Sequence, residues 1–221
     1  MLRPRVAAVV RTGPHAATIA MEPLERGMAG TLGCYLRRAL VAHTPGHAVV
    51  TLRLRCAGGE FDHMPGIAED VPGLALNLRR VAFRCHRPGA VTLSLHTGEH
   101  GKIAAGDIPM PPRCEVVNPG ATLAHLCGGV LSMTLTLERG RGCIRPGARH
   151  ERAPGVFCLD AAFTPVRRAS YAVEPARSGG GHVCDRLVLS LETDGSASPL
   201  AALTECMRAL RGQLGMLGRS A

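Results

Sequence analysis

Histidines recur in this sequence at spacings that could hold a metal ion. His43 and His47, and likewise His96 and His100, are four residues apart, which on a helix would place two imidazoles on one face. The first pair encloses a Pro-Gly step that breaks helices, and the second follows a strand pattern. A further His-x-Cys pattern at 182–184 is isolated, and the sequence contains neither CxxC nor HExxH. We therefore expect packing or surface roles for these side chains and no bound metal.

Carboxylates that could serve as an acid–base pair also occur close together. Glu60 and Asp62, and Glu69 and Asp70, are such pairs, but no candidate nucleophile is placed beside them by the sequence. Gly179–Gly181 lacks the lysine that follows in a phosphate-binding loop. The sequence thus predicts no active site and no cofactor in this chain.

Nine cysteines could suggest a disulfide framework or a cysteine-dependent enzyme. The number is odd, however, and four of them have apolar neighbours, where a reduced cysteine behaves as a small hydrophobic residue: Cys34, Cys56, Cys127 and Cys206. The apolar run Val6–Val10 is too short for a secretion signal. We expect a reduced, cytoplasmic protein, with a plastid left open because no acidic residue precedes Glu22.

The charge of the chain favours acidic partners. Among 221 residues, 26 Lys and Arg outnumber 17 Asp and Glu, and Lys102 is the only lysine. A free-standing basic nucleic-acid-binding protein is therefore an alternative, although 3% aromatic residues provide few platforms for base stacking. No apolar run approaches the length of a membrane-spanning helix. The densest basic cluster comprises Arg139, Arg141, Arg145, Arg149 and Arg152.

These residues must be positioned by elements of two kinds. Apolar and polar residues alternate in four segments, which predicts half-buried strands in an antiparallel sheet, near 50–56, 91–95, 131–137 and 187–191. Helical spacing occurs at 32–40 and at 71–78, and the first of these is stopped by Pro45-Gly46.

A third helix is predicted near the C-terminal end. Leu200, Leu203, Met207, Leu210, Leu214 and Leu217 are separated by steps of three and four residues, which is the spacing of helix-on-helix packing. Ser198 is a suitable N-cap, and Pro199 suits the first helical position. We expect this helix to take part in self-association.

Five blocks of sequence, in order, resemble the N-terminal domain of the alpha subunit of bacterial and plastid RNA polymerase. They are EPLERGMAGTLGCYLRRALVAHTPG at 22–46, MPGIAEDVPGLALNLRRV at 64–81, LERGRGCIRP at 137–146, DAAFTPVRRASYAVEPAR at 160–177 and DRLVLSLETDGSASP at 185–199. The resemblance implies a non-catalytic homodimer that binds the beta and beta-prime subunits, meets DNA only through the assembled enzyme and has no membrane partner.

The resemblance also implies an α+β fold with a discontinuous layout. A dimerisation subdomain, consisting of a sheet and two helices, would comprise 1–45 and 165–221, and a β-rich insert would comprise 46–164. The implied dimer interface includes Leu32, Tyr35, Leu36, Leu200, Leu203, Met207, Leu210 and Leu214.

Contact residues can be carried over where the blocks match. The family holds beta in the region of the first helix, which here carries Arg37 and Arg38, and we also expect beta contacts at Glu25 and Arg26. An arginine fork suits a partner carboxylate. Weaker expectations for large-subunit contacts are Arg139, Arg141, Phe163, Pro165 and Val166.

The sequence departs from the family pattern at three places. Gly30 and Cys34 replace a usual histidine and asparagine, and Leu200-Ala201 replaces acidic residues at the start of the last helix. The chain stops at Ala221, so we expect the family's second, DNA-binding domain to be absent.

Overall fold

The computed structural model describes residues 4–55, 64–145, 154–177 and 182–217. In these ranges the chain forms a mostly β, α+β fold with three α-helices. The helices are α1 (Met28–His43), α2 (Val71–Leu78) and α3 (Pro199–Leu217). The strands are β1 (Arg5–Arg11), β2 (Ala16–Leu24), β3 (Pro45–Leu54), β4 (Phe83–Cys85), β5 (Val91–Thr97), β6 (Gly101–Ala104), β7 (Cys114–Val116), β8 (Thr122–Leu126), β9 (Leu131–Arg141), β10 (Cys143–Ile144), β11 (Val156–Cys158), β12 (Ala161–Ala162), β13 (Val166–Arg177) and β14 (Val183–Thr193).

The three predicted helices and the four predicted strands are all confirmed. The strands predicted near 91–95, 131–137 and 187–191 lie within β5, β9 and β14. The one predicted near 50–56 is the end of β3, which stops at Leu54; Arg55 follows as a bend, and Cys56 lies outside the described residues. The sequence patterns missed β1, β2 and β13. Every residue of β1 is exposed, β13 is exposed along most of its length, and β2 is buried or half-buried throughout, so none of the three strands shows a clear alternation of apolar and polar residues.

Contacts divide the chain into two compact units. Unit 1 comprises Met1–Thr44 and Thr164–Ala221, and unit 2 comprises Pro45–Phe163. The identification of these units with a dimerisation subdomain and an insert stays a prediction.

Unit 1 is built on a four-stranded antiparallel sheet in the order β1-β2-β14-β13. Ile19 of β2 lies opposite Leu189 of β14, and both are fully buried. With Leu40 of α1 and Leu203 of α3 they form one hydrophobic core. Burial of such side chains holds both helices to the sheet, at about 1.5–3 kcal/mol for each.

The start and the end of α1 are fixed by local backbone chemistry. Gly27 has a φ of 87°, a left-handed conformation that glycine adopts without strain, and its N–H donates to Asp185 Oδ2 at 2.8 Å. At the other end, the Thr44 hydroxyl donates to the Leu40 carbonyl at 2.7 Å. Pro45 follows directly and ends the helix.

Unit 2 has a larger antiparallel sheet in the order β5-β9-β3-β4-β7, with β11 also paired to β3. A two-stranded β6-β8 sheet and α2 enclose its core, in which Leu52, Leu93 and Leu135 are almost wholly buried. Asp70 caps α2 by accepting a hydrogen bond from the Gly73 N–H at 2.8 Å.

The cysteines differ in part from the sequence expectation. Cys85 and Cys114 lie directly opposite each other on β4 and β7 and form a disulfide. The expectation that the cysteines are all reduced is therefore wrong for this pair, because strand register brings together residues 29 positions apart. Cys206 fits the apolar interpretation, since burial raises the pKa of its thiol to about 11, but Cys34 and Cys127 are exposed and do not fit it.

Candidate assembly interface

An open apolar groove lies on unit 1 where α1 and α3 meet the sheet. Its volume is about 700 Å³. Most of the residues predicted for a dimer interface line it: Leu32, Tyr35, Leu36, Met207, Leu210 and Leu214. The structure thus brings together six of the eight residues that the sequence proposed.

The two remaining residues lie elsewhere. Leu203 is 1% exposed and belongs to the core of the protomer, so its assignment to an interface is corrected. Leu200 is exposed but does not line the groove. The apolar residues of α3 therefore do not all face one partner helix. Ala202, Leu203 and Cys206 instead pack in the core of unit 1, against the sheet of the same protomer.

The lining of the groove is unusually exposed for large apolar side chains. Tyr35 is 53% exposed, and Leu214 is 57% exposed. By contrast, Leu36 is 7% exposed and forms part of the floor, which places it in the protomer core as well as in the groove. Every residue of α3 from Arg211 to Met216 is exposed, and the side chain of Leu217 is not among the described ones. Apolar surface of this kind marks an interaction site.

Sheet residues that the sequence analysis did not propose complete the floor of the groove. Val6, Met21, Leu24 and Leu187 contribute from β1, β2 and β14. The sequence marked these residues only as apolar. They come together because β1, β2 and β14 are neighbours in the sheet, and this strand order is set by long-range pairing.

Arg37 and Arg38 lie on the exposed side of α1, as the helical spacing predicted. The Arg37 Nε donates to the Ala169 carbonyl of β13 at 3.2 Å, which anchors that guanidinium. Both arginines border a second cavity of about 510 Å³, which Tyr35 and His43 also line. Arg38 therefore presents a charged fork beside a concave surface.

The turn that contains Glu25 and Arg26 is exposed and precedes α1 directly. The Glu25 carbonyl accepts a hydrogen bond from the Met28 N–H at 3.0 Å, so the turn is rigidly joined to the helix. Neither side chain forms an ion pair with a described residue.

Three of the weaker contact predictions fall on buried residues. Phe163 is 3% exposed and packs in unit 2 beside Val50 and Ala161, and a Cβ at Gly140 would meet its ring at 2.7 Å. Pro165 is buried, and Val166 belongs to the core of unit 1. These side chains stabilise the protomer itself, so their assignment as surface contacts is corrected.

The basic cluster is only partly described. Arg139 and Arg141 are exposed at the end of β9, and Arg145 is exposed after β10. Arg149 and Arg152 lie outside the described residues. The structure therefore places three arginines of this cluster at the surface, and the nucleic-acid alternative stays untested.

A charged network lies across β2, β13 and β14. The Arg186 Nε contacts Glu22 Oε2 at 2.6 Å, and its Nη1 lies 3.8 Å from Glu174 Oε2. The hydrogen bond from Arg186, opposed by a weaker effect of burial, lowers the pKa of Glu22. This network joins three strands and was not predicted from the sequence.

The histidines form no metal site in the part of the chain that the structure describes, where three or more ligand-type side chains nowhere converge. His47 is a half-buried residue of β3, and burial, followed by the charges of Arg139 and His86, lowers its pKa. Of the carboxylates considered as an acid–base pair, Glu69 forms an ion pair with His125, with 2.7 Å between Oε1 and Nδ1. Glu60, Asp62 and the loop 179–181 lie outside the described residues.

Among the described helices, none is both long and apolar enough to cross a membrane.

A β-rich chain with an exposed apolar groove and bordering arginines belongs to the class of proteins that assemble with partners. The sequence of residues 51–164, slightly more than half of the chain, matches the family model of the RNA polymerase Rpb3/RpoA insert domain. The chain belongs to this family. It is thus an RNA polymerase subunit of the assembly type, associated with other polymerase subunits in a nucleotidyltransferase complex.

Proposed function

We propose that this chain is an alpha-type, non-catalytic scaffold of RNA polymerase, which forms a homodimer and binds the beta and beta-prime subunits. The observation that carries this proposal is the groove of about 700 Å³ that each protomer leaves open between α1, α3 and the sheet. A second copy of the chain would cover it with the same apolar residues, as a twofold interface requires.

The exposed end of α3 supports a second copy as the occupant. Leu214 and Met207 project from a helix whose inner face is already used by the protomer core. Helices of one copy could therefore supply the side chains that fill the groove of the other. An interface of this apolar character is typical of obligate homodimers.

Light scattering after size exclusion tests the dimer. We expect the wild-type chain to have about twice the 23.2 kDa of one protomer at micromolar concentration. Leu214→Asp should yield a folded monomer, because dimerisation would bury an unpaired charge. Leu76→Asp is the matched control, since Leu76 is also 57% exposed but lies on α2 of unit 2. A monomeric wild-type chain, or an unchanged dimer in Leu214→Asp, would contradict the proposal.

The arginines of α1 provide the second part of the proposal, the capture of beta. Arg38→Ala should leave the dimer intact and weaken co-purification with the beta subunit by at least tenfold, as for an arginine hot spot whose loss costs about 2 kcal/mol. Arg53→Ala, also at an exposed arginine but in unit 2, should have little effect. Equal capture of beta by both variants would exclude Arg38 from the contact.

A further inference from the structure

Strand β1 forms one edge of the unit 1 sheet and pairs there with β2. All seven of its residues are exposed, including Val6, Val9 and Val10 at 44–57%. An edge strand offers a row of backbone donors and acceptors to another extended chain. β1 is therefore the place where this sheet could gain a strand.

The backbone of β1 turns specific amides toward the open edge. The Thr12 N–H donates to the Ala16 carbonyl at 3.0 Å, so this amide points toward β2. Amide directions alternate along an antiparallel strand. The N–H groups of Arg11 and Val9 consequently point away from β2.

Of the features that usually protect an edge strand, β1 has one, a register shift between Val6 and Ala8 in its pairing with β2. Its sequence, RVAAVVR, contains no proline, lysine or carboxylate. Pro4 and Pro14 lie outside it, and after the register shift the regular edge comprises Ala8 to Arg11, which is four residues or about 13 Å long. That length suits a short extended peptide.

The charge of this edge selects its partner. Arg5 lies directly opposite Glu22 of β2 in the strand pairing, so a carboxylate already faces this end of β1. Arg11 makes no ion pair with any described residue. The sequence has no acidic residue before Glu22, so the Arg11 end of β1 carries positive charge that no neighbour in sequence offsets.

A second copy of β1 is a poor occupant. Antiparallel pairing of two β1 strands about Ala8 would place Arg5 of each copy opposite Arg11 of the other. Parallel pairing would bring identical arginines together. Like charges directly opposite each other destabilise a strand pair, whereas opposite charges stabilise it.

We propose that β1 is a docking edge for an extended segment of a partner polypeptide that carries a carboxylate beside Arg11. Such a segment would add a fifth strand to the sheet, with affinity from main-chain hydrogen bonds and selectivity from the charge. This inference concerns the Arg11 end of β1 and does not depend on dimerisation, whereas Arg5 and Val6 at the other end line the groove of the proposed dimer.

Fluorescence anisotropy with labelled peptides on the full chain tests the charge selection. Ac-EVTVTVE-NH2 should bind at least about fivefold more tightly than Ac-KVTVTVK-NH2, because opposite and like charges facing each other differ by this order. Arg11→Glu should remove or reverse this preference. The exposed Arg53→Glu in unit 2 should preserve it.

A second pair of variants tests the strand edge itself. Val9→Pro removes an outward N–H and should abolish peptide binding, whereas Val9→Ala keeps that N–H and should retain it. Melting temperatures would establish that the variants are folded, and Arg11→Glu remains informative if Val9→Pro is not.

Three results would overturn the proposal: no binding of the glutamate peptide, equal binding of both peptides, or tighter binding of Ac-RVAAVVR-NH2, which would favour a second copy. The monomeric Leu214→Asp variant should still bind the glutamate peptide. Failure of the docking edge is thus distinguishable from failure of the proposed dimer.

Discussion

At the scale of single residues, the fold of unit 1 depends on one close approach between a helix and a strand. Gly33 of α1 lies against the ring of Tyr171 on β13, and a Cβ at Gly33 would be only 2.4 Å from the Tyr171 Cδ2. The absence of a side chain at this position lets the helix lie close to the sheet. The tyrosine in turn covers the backbone of α1.

Gly33→Ala should therefore destabilise the protein by about 1–3 kcal/mol, since the methyl group forces the Tyr171 ring or the helix to move. Urea unfolding measures the effect. Gly30→Ala is the matched control on the same helix, where an added Cβ meets no atom within 4 Å. It should be neutral or slightly stabilising, because alanine favours helix more than glycine does. Equal losses at both positions would contradict the packing argument.

At the scale of elements, α2 is held to β8 by a side chain that precedes it. Glu69 accepts hydrogen bonds from the His125 backbone N–H and from the His125 ring, both at 2.7 Å. Burial raises the pKa of Glu69, but the hydrogen bonds from the His125 side chain and backbone outweigh it and lower the pKa below 4.5. The Asn77 amide adds a bond to the Leu123 carbonyl at 2.9 Å.

The sign of the resulting pH dependence follows from the lowered pKa. Ionised Glu69 stabilises the fold fully above pH 4.5, and this contribution is lost as the pH falls through the lower pKa of the folded state. Glu69→Gln should lower the free energy of unfolding by about 1 kcal/mol at pH 7, with a difference that shrinks below pH 4.5.

Urea titrations at several pH values measure this difference. Glu115→Gln is the control, because Glu115 pairs with Arg84 at 2.5 Å but is 57% exposed, where an ion pair contributes little. A Glu69→Gln effect that did not change with pH would exclude the ionised pair as its cause.

At the scale of the whole molecule, the two units have separate hydrophobic cores. Leu135 and Leu52 are fully buried in unit 2, and Leu189 and Leu40 are fully buried in unit 1. The chain enters unit 2 at Pro45 and leaves it after Phe163, so each unit has its own sheet and its own core. Local stability can therefore differ between them.

Leu135→Ala should destabilise unit 2 by about 2–5 kcal/mol through the cavity that it creates. Hydrogen exchange should then accelerate in β3 and β9, while β2 and β14 of unit 1 change little. Leu189→Ala should give the opposite pattern. Uniform acceleration in both units from either variant would show that they unfold together.

Much of this architecture was predictable because local patterns determine it. The spacing at 32–40, 71–78 and 200–217 predicted the helices, and Ser198 caps α3 as expected, accepting from the Ala201 N–H at 3.2 Å. Arg37 and Arg38 are exposed for the same periodic reason. The groove residues of α1 and α3 were likewise predictable as apolar helix positions.

What the sequence could not predict depends on long-range pairing. Leu203 has the same spacing as Leu210 and Leu214, yet only the sheet decides which of them is in the core. Phe163 and Val166 matched a contact segment but are buried for similar reasons. The Cys85–Cys114 bond and the exposed edge of β1 follow from strand order, which no single segment encodes.

The exposed end of α3 has a consequence for the abundance of the protein. Apolar surface that is exposed to solvent in the isolated protomer does not stabilise that protomer. If copies associate and cover it, the melting temperature of unit 1 should rise with protein concentration. A cell that made too little of this subunit would then hold it in a form that proteases cut more readily at residues 211–216. The rate of synthesis of the subunit and its lifetime would then be coupled, because both determine or depend on whether α3 is covered.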